Sequence, residues 1–396
     1  MSTHNPSTSI RYHFASVQDP RINRTHKHNL FDILVIALCA MISGAEDYVH
    51  FEIFGHAKRD WLSERLELPN GIPSHDTFAR VFSLIDPVAL ESAFSSWIQA
   101  LQAHATQQAQ DNAATTGKEE IISLDGKTLR KSFDPARNRS AIHMVSAWAT
   151  KARLVLGQIK VNDKSNEITA IPQLLDTLDI AGCLVTIDAM GCQKAIAAKI
   201  AVRGGNYILG LKGNQSGLKN GVELFLQHAQ KDKYEGLTTR THTATVEKDH
   251  GRIETRHYRI VDLPEGIAWD DERRDWPGLK SIGIATSTRQ IGDKVSTETR
   301  YFITSISASQ PDSARWLARG IRSHWGIENS LHWVLDVAMN EDACRVRKDH
   351  VPENLAVMRH IVLNLLRQDK TTNKSMKTKL LLATWEISYL ETLLGI

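Results

Sequence analysis

Cysteine is scarce in this chain: four in 396 residues, at Cys39, Cys183, Cys192 and Cys344, with no CxxC pair among them. Thiols so scattered argue against a disulfide framework and a cysteine zinc site, and they fit a reducing cytosol. Long apolar runs are also missing. The longest, Ile33 to Ala45, falls short of the roughly 20 residues that cross a bilayer, and it reads as a buried helix. The first thirty residues are polar and carry Arg11, Arg21, Arg24 and Lys27, so no signal peptide is expected. A cytoplasmic, nucleoid-associated location follows, with no membrane partner. Charge of one sign is wanting too. A net charge of +3 does not by itself indicate a nucleic-acid partner, and the clustering of the basic residues matters more. No Gly-rich dinucleotide fingerprint follows a strand. Gly126-Lys127-Thr128 imitates the end of a phosphate loop, but Ile121 stands where its first glycine should be. No nucleophile elbow is visible, although 17 histidines leave a Ser–His–Asp site open. There are no internal repeats.

What is present is an ordinary globular composition, 42% hydrophobic and 23% charged, long enough for two or three domains. Residues 1–103 read as a helical N-terminal domain: Leu30 to Ile42, one or two helices in Tyr48 to Leu66, a break at Pro69-Asn-Gly-Ile-Pro73, then helices from Ser74 and from Asp86-Pro87. Short helices around a tight turn suit a helix-turn-helix-like DNA module, with His75, Asp76, Thr77 and Arg80 at the front of a reading helix; a plain supporting bundle gives the same periodicity. Residues 104–120 are Ala-, Gln- and Thr-rich and read as a linker. Beyond it come strands at 121–125, 142–149, 153–161, 183–188 and 206–212, with helices from about Ile171 and Gln193. Residues 213–300 form a β-rich insertion, and helices near 353–368 and 380–394 close the chain, the last 26 residues (371–396) as a tail.

Three carboxylates stand out. Ile121-Ile-Ser-Leu-Asp125-Gly126 and Cys183-Leu-Val-Thr-Ile-Asp188-Ala-Met-Gly191 each read as a buried strand stopping at an acidic turn, although Asp there is commonly just turn chemistry. Strand ends in α/β sheets are where catalytic groups collect. Glu328 lies in a helix, seven residues from both Ile321 and Leu335, on a stripe that should face the core. A carboxylate there needs a partner: His324 or His332 four residues away, or a divalent cation shared with Asp125 and Asp188. The spacing His324-x3-Glu328-x3-His332 also permits zinc, but it lacks the metalloprotease arrangement. Trp325 and Trp333 flank Glu328; core packing is the expected role for both, stacking on a base the alternative.

These residues give a resemblance. Asp19-Pro-Arg21, Gly71-Ile-Pro-Ser-His-Asp-Thr77, Ser123-Leu-Asp-Gly-Lys-Thr128, Lys164-Ser-Asn-Glu-Ile-Thr-Ala-Ile-Pro172, Thr186-Ile-Asp-Ala-Met-Gly-Cys-Gln193, Leu211-Lys-Gly-Asn-Gln215, His250-Gly-Arg-Ile-Glu254 and His324-Trp-Gly-Ile-Glu-Asn-Ser-Leu-His-Trp333 occur in the order seen in ISAs-type insertion-sequence transposases. That group, which includes the H-repeat-associated proteins, belongs to the DDE superfamily, and the resemblance spans nearly the whole chain. It implies an α/β fold with an RNase H-like catalytic core in 121–370, the β-rich insertion preceding the glutamate helix. It implies Asp125, Asp188 and Glu328 as catalytic and metal-holding residues. Mg²⁺ would be the cofactor, with Mn²⁺ able to substitute, for cutting and joining double-stranded DNA at terminal inverted repeats and target by a homodimer on DNA. Lys127, Arg130, Lys131, Lys212, Arg345, Arg347 and Lys348 would track phosphates. The broader relatives' Tyr-x2-Arg-x3-Glu-x6-Lys signature is not kept: Ile321, His324, Glu328 and Leu335 fill its slots. His324, Arg322 or Lys127 would then have to take over the phosphate grip. Two alternatives remain: a catalytically silent, domesticated DNA-binding protein, and a nuclease that cuts without joining.

Overall fold

The computed structural model describes residues 9–22, 26–111, 120–133, 140–162, 166–249, 252–266 and 273–395. Six helices come first: α1 (Ile10–Phe14), α2 (Leu30–Ile42), α3 (Tyr48–Ala57), α4 (Arg59–Ser63), α5 (His75–Leu84) and α6 (Pro87–Asp111). Helix α2 is apolar almost throughout and buried on nearly all its faces. Asp47 starts α3 by accepting from the His50 amide, and the break at 69–73 is a turn with Gly71 at φ +73°. Helix α6 continues to Asp111, into the stretch read as linker, and 112–119 lie outside the described residues. At the front of α5, both the backbone N–H and Nδ1 of His75 engage Glu52, which ties that ring to α3.

The strands are β1 (Ile121–Thr128), β2 (His143–Ala149), β3 (Leu154–Lys160), β4 (Leu184–Ile187), β5 (Asn206–Leu211), β6 (Thr239–Asp249), β7 (Arg252–Asp262), β8 (Ser281–Ile291) and β9 (Lys294–Thr304). They form one mixed sheet in the order β3-β2-β1-β4-β5-β9-β8-β7-β6. Among the described residues only β1–β4 and β4–β5 pair in parallel. Between strands lie α7 (Glu167–Thr177), α8 (Lys194–Val202) and α9 (Ser216–Lys231). After β9 come α10 (Ser313–Ile327), one π turn (Glu328–His332), α11 (Trp333–Met339), α12 (Val351–Gln368), α13 (Met376–Trp385) and α14 (Ile387–Leu394). No helix among the described residues is long and apolar enough to cross a membrane.

Several boundaries differ from the sequence expectation. Strand β1 does not stop at Asp125; it runs on through Gly126 to Thr128, paired with β2 along the way, because β2 offers a partner for every residue. Helix α7 begins at Glu167 rather than near Pro172. The Asn166 side chain accepts from the Ile168 amide, and that cap outweighs the proline as a start signal. The last helix is two helices, the first starting early at a Ser375 cap and the two separated by Glu386, whose backbone is extended at φ −117°, ψ 107°. Within the β-rich stretch, Gly292-Asp293, with Gly292 at φ +55°, closes a two-residue hairpin between β8 and β9.

Helix α12 joins the two ends of the chain. It is buried along nearly its whole length, among α2, α5, α6 and β3. Its polar side chains answer backbone groups that would otherwise be stranded. Asn354 donates to the carbonyls of Phe82 and Ile85. Asn364 accepts from the Val155 N–H at 2.9 Å and donates to the Val155 C=O at 2.8 Å. Glu91, from α6, accepts from the Gln158 N–H at 3.0 Å. Strand β3 is the sheet's edge, with its register shift near Val155, and these two side chains stand in for a missing neighbour strand. Replacing Asn364 by Leu strands two buried backbone groups at about 1–3 kcal/mol each. Denaturant unfolding should therefore show a loss of roughly 2–6 kcal/mol, and a loss under about 1 kcal/mol would mean the edge is satisfied in some other way.

Candidate active site

Parallel pairing sets Leu124 beside Ile187, so the next residues, Asp125 and Asp188, are neighbours. Strand alternation sends Ile121, Ser123, Asp125 and Lys127 toward α10, and Ile122, Leu124, Gly126 and Thr128 toward α7. Helix α10 reaches the sheet closely because Gly320 has no side chain; a Cβ there would lie 2.5 Å from Ile208 Cδ1. The Asp188 carboxylate is oriented by its own turn, accepting from the Met190 N–H at 2.9 Å and the Gly191 N–H at 3.3 Å. Asn214 ties that turn down by donating to the Ala189 carbonyl at 2.6 Å.

The third carboxylate does not face the core. Ile327 and Leu331 take the buried positions, and the Glu328 side chain is 61% exposed, at the rim. Glu328 lies where the helix runs out past the strands, and a π turn begins at it, the Trp333 N–H bonding the Glu328 carbonyl five residues back. One extra residue shifts a helical stripe by about 100°, so counting seven back from Leu335 points to the wrong side chain. The same turn brings His332 in. Its ring is almost wholly buried, with Nδ1 3.1 Å from Glu328 Oε2 and 3.6 Å from Asp125 Oδ2.

Asp125, Glu328 and His332 therefore present two carboxylate oxygens and a ring nitrogen within 4.8 Å of one another. Burial, then the charges of Glu167 and Asp188, push the Asp125 carboxyl up to about 7. Carboxylates crowded in this way fit a divalent cation, whose charge would answer theirs. His332 Nε2 finds no partner among the described residues. His324 is turned inward as well: burial pulls its imidazole below the usual range, with Asp188 opposing, and its Nδ1 is unpartnered among the described residues. His324, one of the three residues expected to take over the phosphate grip, thus lies half-buried beside Asp188. Ile321 and Leu335 are core residues.

Lys127 is also not a surface cation. Its side chain is only 11% exposed and its Nζ is held by Asp336 and by Glu341, the latter at 2.7 Å. An ammonium so enclosed is not free for a phosphate. Arg130, Lys131, Lys212, Arg322, Arg345 and Lys348 are exposed, Arg130 with Asp342 3.3 Å away. Arg347 is half-buried, donates from Nε to the Lys131 carbonyl and stacks on Phe133. Trp325 and Trp333 do not pack in the core: they are 51% and 57% exposed, and Arg300 lies over the Trp325 ring.

Glu167 and His143 had no site role on sequence grounds, and His332 stood there as a partner of Glu328 or as one nitrogen of a zinc spacing on the same helix. It also missed a cleft of about 310 Å³ beside Trp325, lined by Arg256, Arg289, Arg300 and Arg322. Strand alternation was the available signal, since Arg256, Ser287 and Glu298 are register partners on one face, but that needs the pairing first.

A family described as "Transposase DDE domain" matches residues 116–365, and one described as "DDE_Tnp_1-associated" matches residues 11–98. The chain is 40% identical over 392 residues to the H repeat-associated putative transposase YhhI of Escherichia coli (strain K12), covering 97% of each. It is 41% identical over 391 residues to the putative transposase YncI of Escherichia coli O157:H7, covering 98% of this chain and 94% of that one. Among solved structures, a piggyBac transposase synaptic complex with hairpin DNA shows 10% identity and a TM-score of 0.40 over 98% of this chain and 78% of the other, a likeness on which nothing here depends.

The Lys127 network carries its own prediction. Burial alone would raise Glu341, but Lys127 and Arg359 outweigh it and hold the carboxyl below its usual range. Lys127→Met leaves that buried charge without its main partner, which should cost about 3–5 kcal/mol in denaturant unfolding. Adding Glu341→Leu should recover part of the loss. Equal stability of Lys127→Met and wild type would show the network to be dispensable.

Proposed function

The chain belongs to the DDE transposase family, and on that premise we propose that it cuts DNA at the ends of its insertion sequence and joins them to a target. Phosphodiester hydrolysis and then transesterification would both run at the Asp125–Asp188–Glu328 site. The observation that carries this reading is the convergence of Asp125, Glu328 and His332 donors within 4.8 Å, with Asp188 on the next strand. A divalent cation bound there supplies Lewis-acid polarisation of a phosphate oxygen and a bound water that ionises near neutral pH. Asp125 and Glu328 hold it, Asp188 completes the set, and His332 aligns Glu328. Mg²⁺ serves, and Mn²⁺, which takes the same carboxylate oxygens, can substitute.

We read the β3-β2-β1-β4-β5 half of the sheet, antiparallel then parallel, as an RNase H-like core within residues 121–370; its strand order supports this. Strands β6–β9 are then the insertion, residues 1–103 an N-terminal helical domain that contacts DNA, and 371–396 the tail. The exposed Arg130, Lys131, Lys212, Arg322, Arg345 and Lys348 follow the phosphates of terminal inverted repeats and target, so binding weakens steeply with salt. Two element ends call for two copies of the chain on DNA.

The test is a supercoiled plasmid bearing the element's ends, incubated with the protein and Mg²⁺ or Mn²⁺. Asp125→Asn, Asp188→Asn and Glu328→Gln should each slow cutting by at least about 10³-fold, since cation stabilisation is worth several kcal/mol. Gel-shift affinity for the ends should stay close to wild type, and chelation should stop cutting. Binding without cutting by the wild type under all these conditions would favour a silent DNA-binding protein. Cutting that survives all three substitutions would place the chemistry elsewhere.

A further inference from the structure

The strand that carries Asp125 has a second polar face. The residue after Asp125 is a glycine, and two side chains fill the space a side chain there would need. A Cβ on Gly126 would lie 2.2 Å from Glu167 Oε1 and 2.4 Å from His143 Nε2. Those two atoms are themselves 2.7 Å apart. On its other side the His143 ring meets Thr128 Oγ1 at 2.9 Å, so the imidazole is braced at both nitrogens. Glu167 opens α7, where the positive end of a helix suits a carboxylate. That preference accounts for an acidic residue at this position. It does not account for a side chain folded down onto β1 and largely buried, when a helix start ordinarily leaves it in water.

Asp125 faces α10 and Gly126 faces α7, and with no side chain on the glycine Glu167 comes down from α7 onto the strand backbone beside Asp125. The Glu167 charge is felt at Asp125 more strongly than those of Asp188 or Glu328. Four carboxylates thus gather around one strand, with the Nδ1 of the buried His332 ring beside two of them. Like charges gathered by the fold repel unless a cation lies among them. His143 answers one Glu167 oxygen, which fixes the carboxylate's direction in the way outer partners orient metal ligands.

We propose that Glu167 is a fourth carboxylate of the cation site, oriented by His143, and that it shares with Asp125 the second of two divalent cations. This rests on the carboxylate-site reading given above. His143 is a positioning residue in it, and Gly126 is required because any side chain would displace the pair.

The experiment is titration of Mn²⁺ into the full chain without DNA, followed by electron paramagnetic resonance and calorimetry, with melting temperature as a check on folding. Glu167→Gln keeps an oxygen for His143 and removes the charge. It should lower Mn²⁺ affinity at least about tenfold or reduce the bound ions from two to one per chain, with melting unchanged. His143→Ala leaves the charge but frees it, and should weaken binding by a smaller factor. Wild-type affinity and stoichiometry in both variants, alongside lost binding in Asp125→Asn, overturns the role of Glu167 and leaves the site reading standing. Wild-type binding in Asp125→Asn overturns the site reading itself. Should Glu167→Gln fail to fold, unchanged Mn²⁺ binding by His143→Ala is the overturning result.

Discussion

Everything at the site depends on how closely α10 approaches the parallel pair β1–β4. The pair puts Asp125 and Asp188 side by side at one rim of the sheet. The helix must lie almost on the strands for a residue at its far end to reach them, and Gly320 over Ile208 and Leu184 permits that. Leu317 and Ile321 fill the rest of the contact with Ile121 and Ile208. The π turn then does what a regular helix could not. It widens the turn that follows Glu328 and brings the buried His332 in against that carboxylate and Asp125. Packing thus sets where the helix lies, and a local departure from helical geometry sets which side chains it presents.

Charge is divided along a single strand. At Asp125 the fold gathers negative groups with little to balance them; two residues on, Lys127 meets Asp336 and Glu341 in a closed network. The first arrangement invites a cation, and the second locks α11 and the following turn to the sheet. An ammonium moved by two positions would neutralise the Asp125 cluster from within. The separation is maintained by the buried positions of Lys127 and Glu341, where an unpaired charge costs far more than at the surface.

Much of the secondary structure was legible in the sequence. Strands β2 to β5, helix α2 and helix α12 sit close to where periodicity and breakers put them, because each has a strong apolar pattern of its own. The misses came where local signals competed. Asn166 overruled Pro172 as the start of α7, and Asp125-Gly126 looked like a turn until β2 supplied a pairing partner. Trp325 and Trp333 were assigned to the core on their size, yet both stand at the surface near Glu328.

The residues Asp125, Asp188 and Glu328 could be named from the chain alone, because strand ends, glycine turns and ordered motifs are local, and local pattern is what a sequence displays. The reason given for Glu328 was nevertheless wrong, since a regular helix was assumed through a π turn. Which groups join them was settled only by the tertiary structure. His332 comes in through that turn, Glu167 through a helix that returns over Gly126, and Lys127 is withdrawn by partners more than two hundred residues away. A one-residue change in helical phase, or a pairing between distant strands, leaves no mark on composition or spacing. It becomes visible only once backbone packing has placed the side chains.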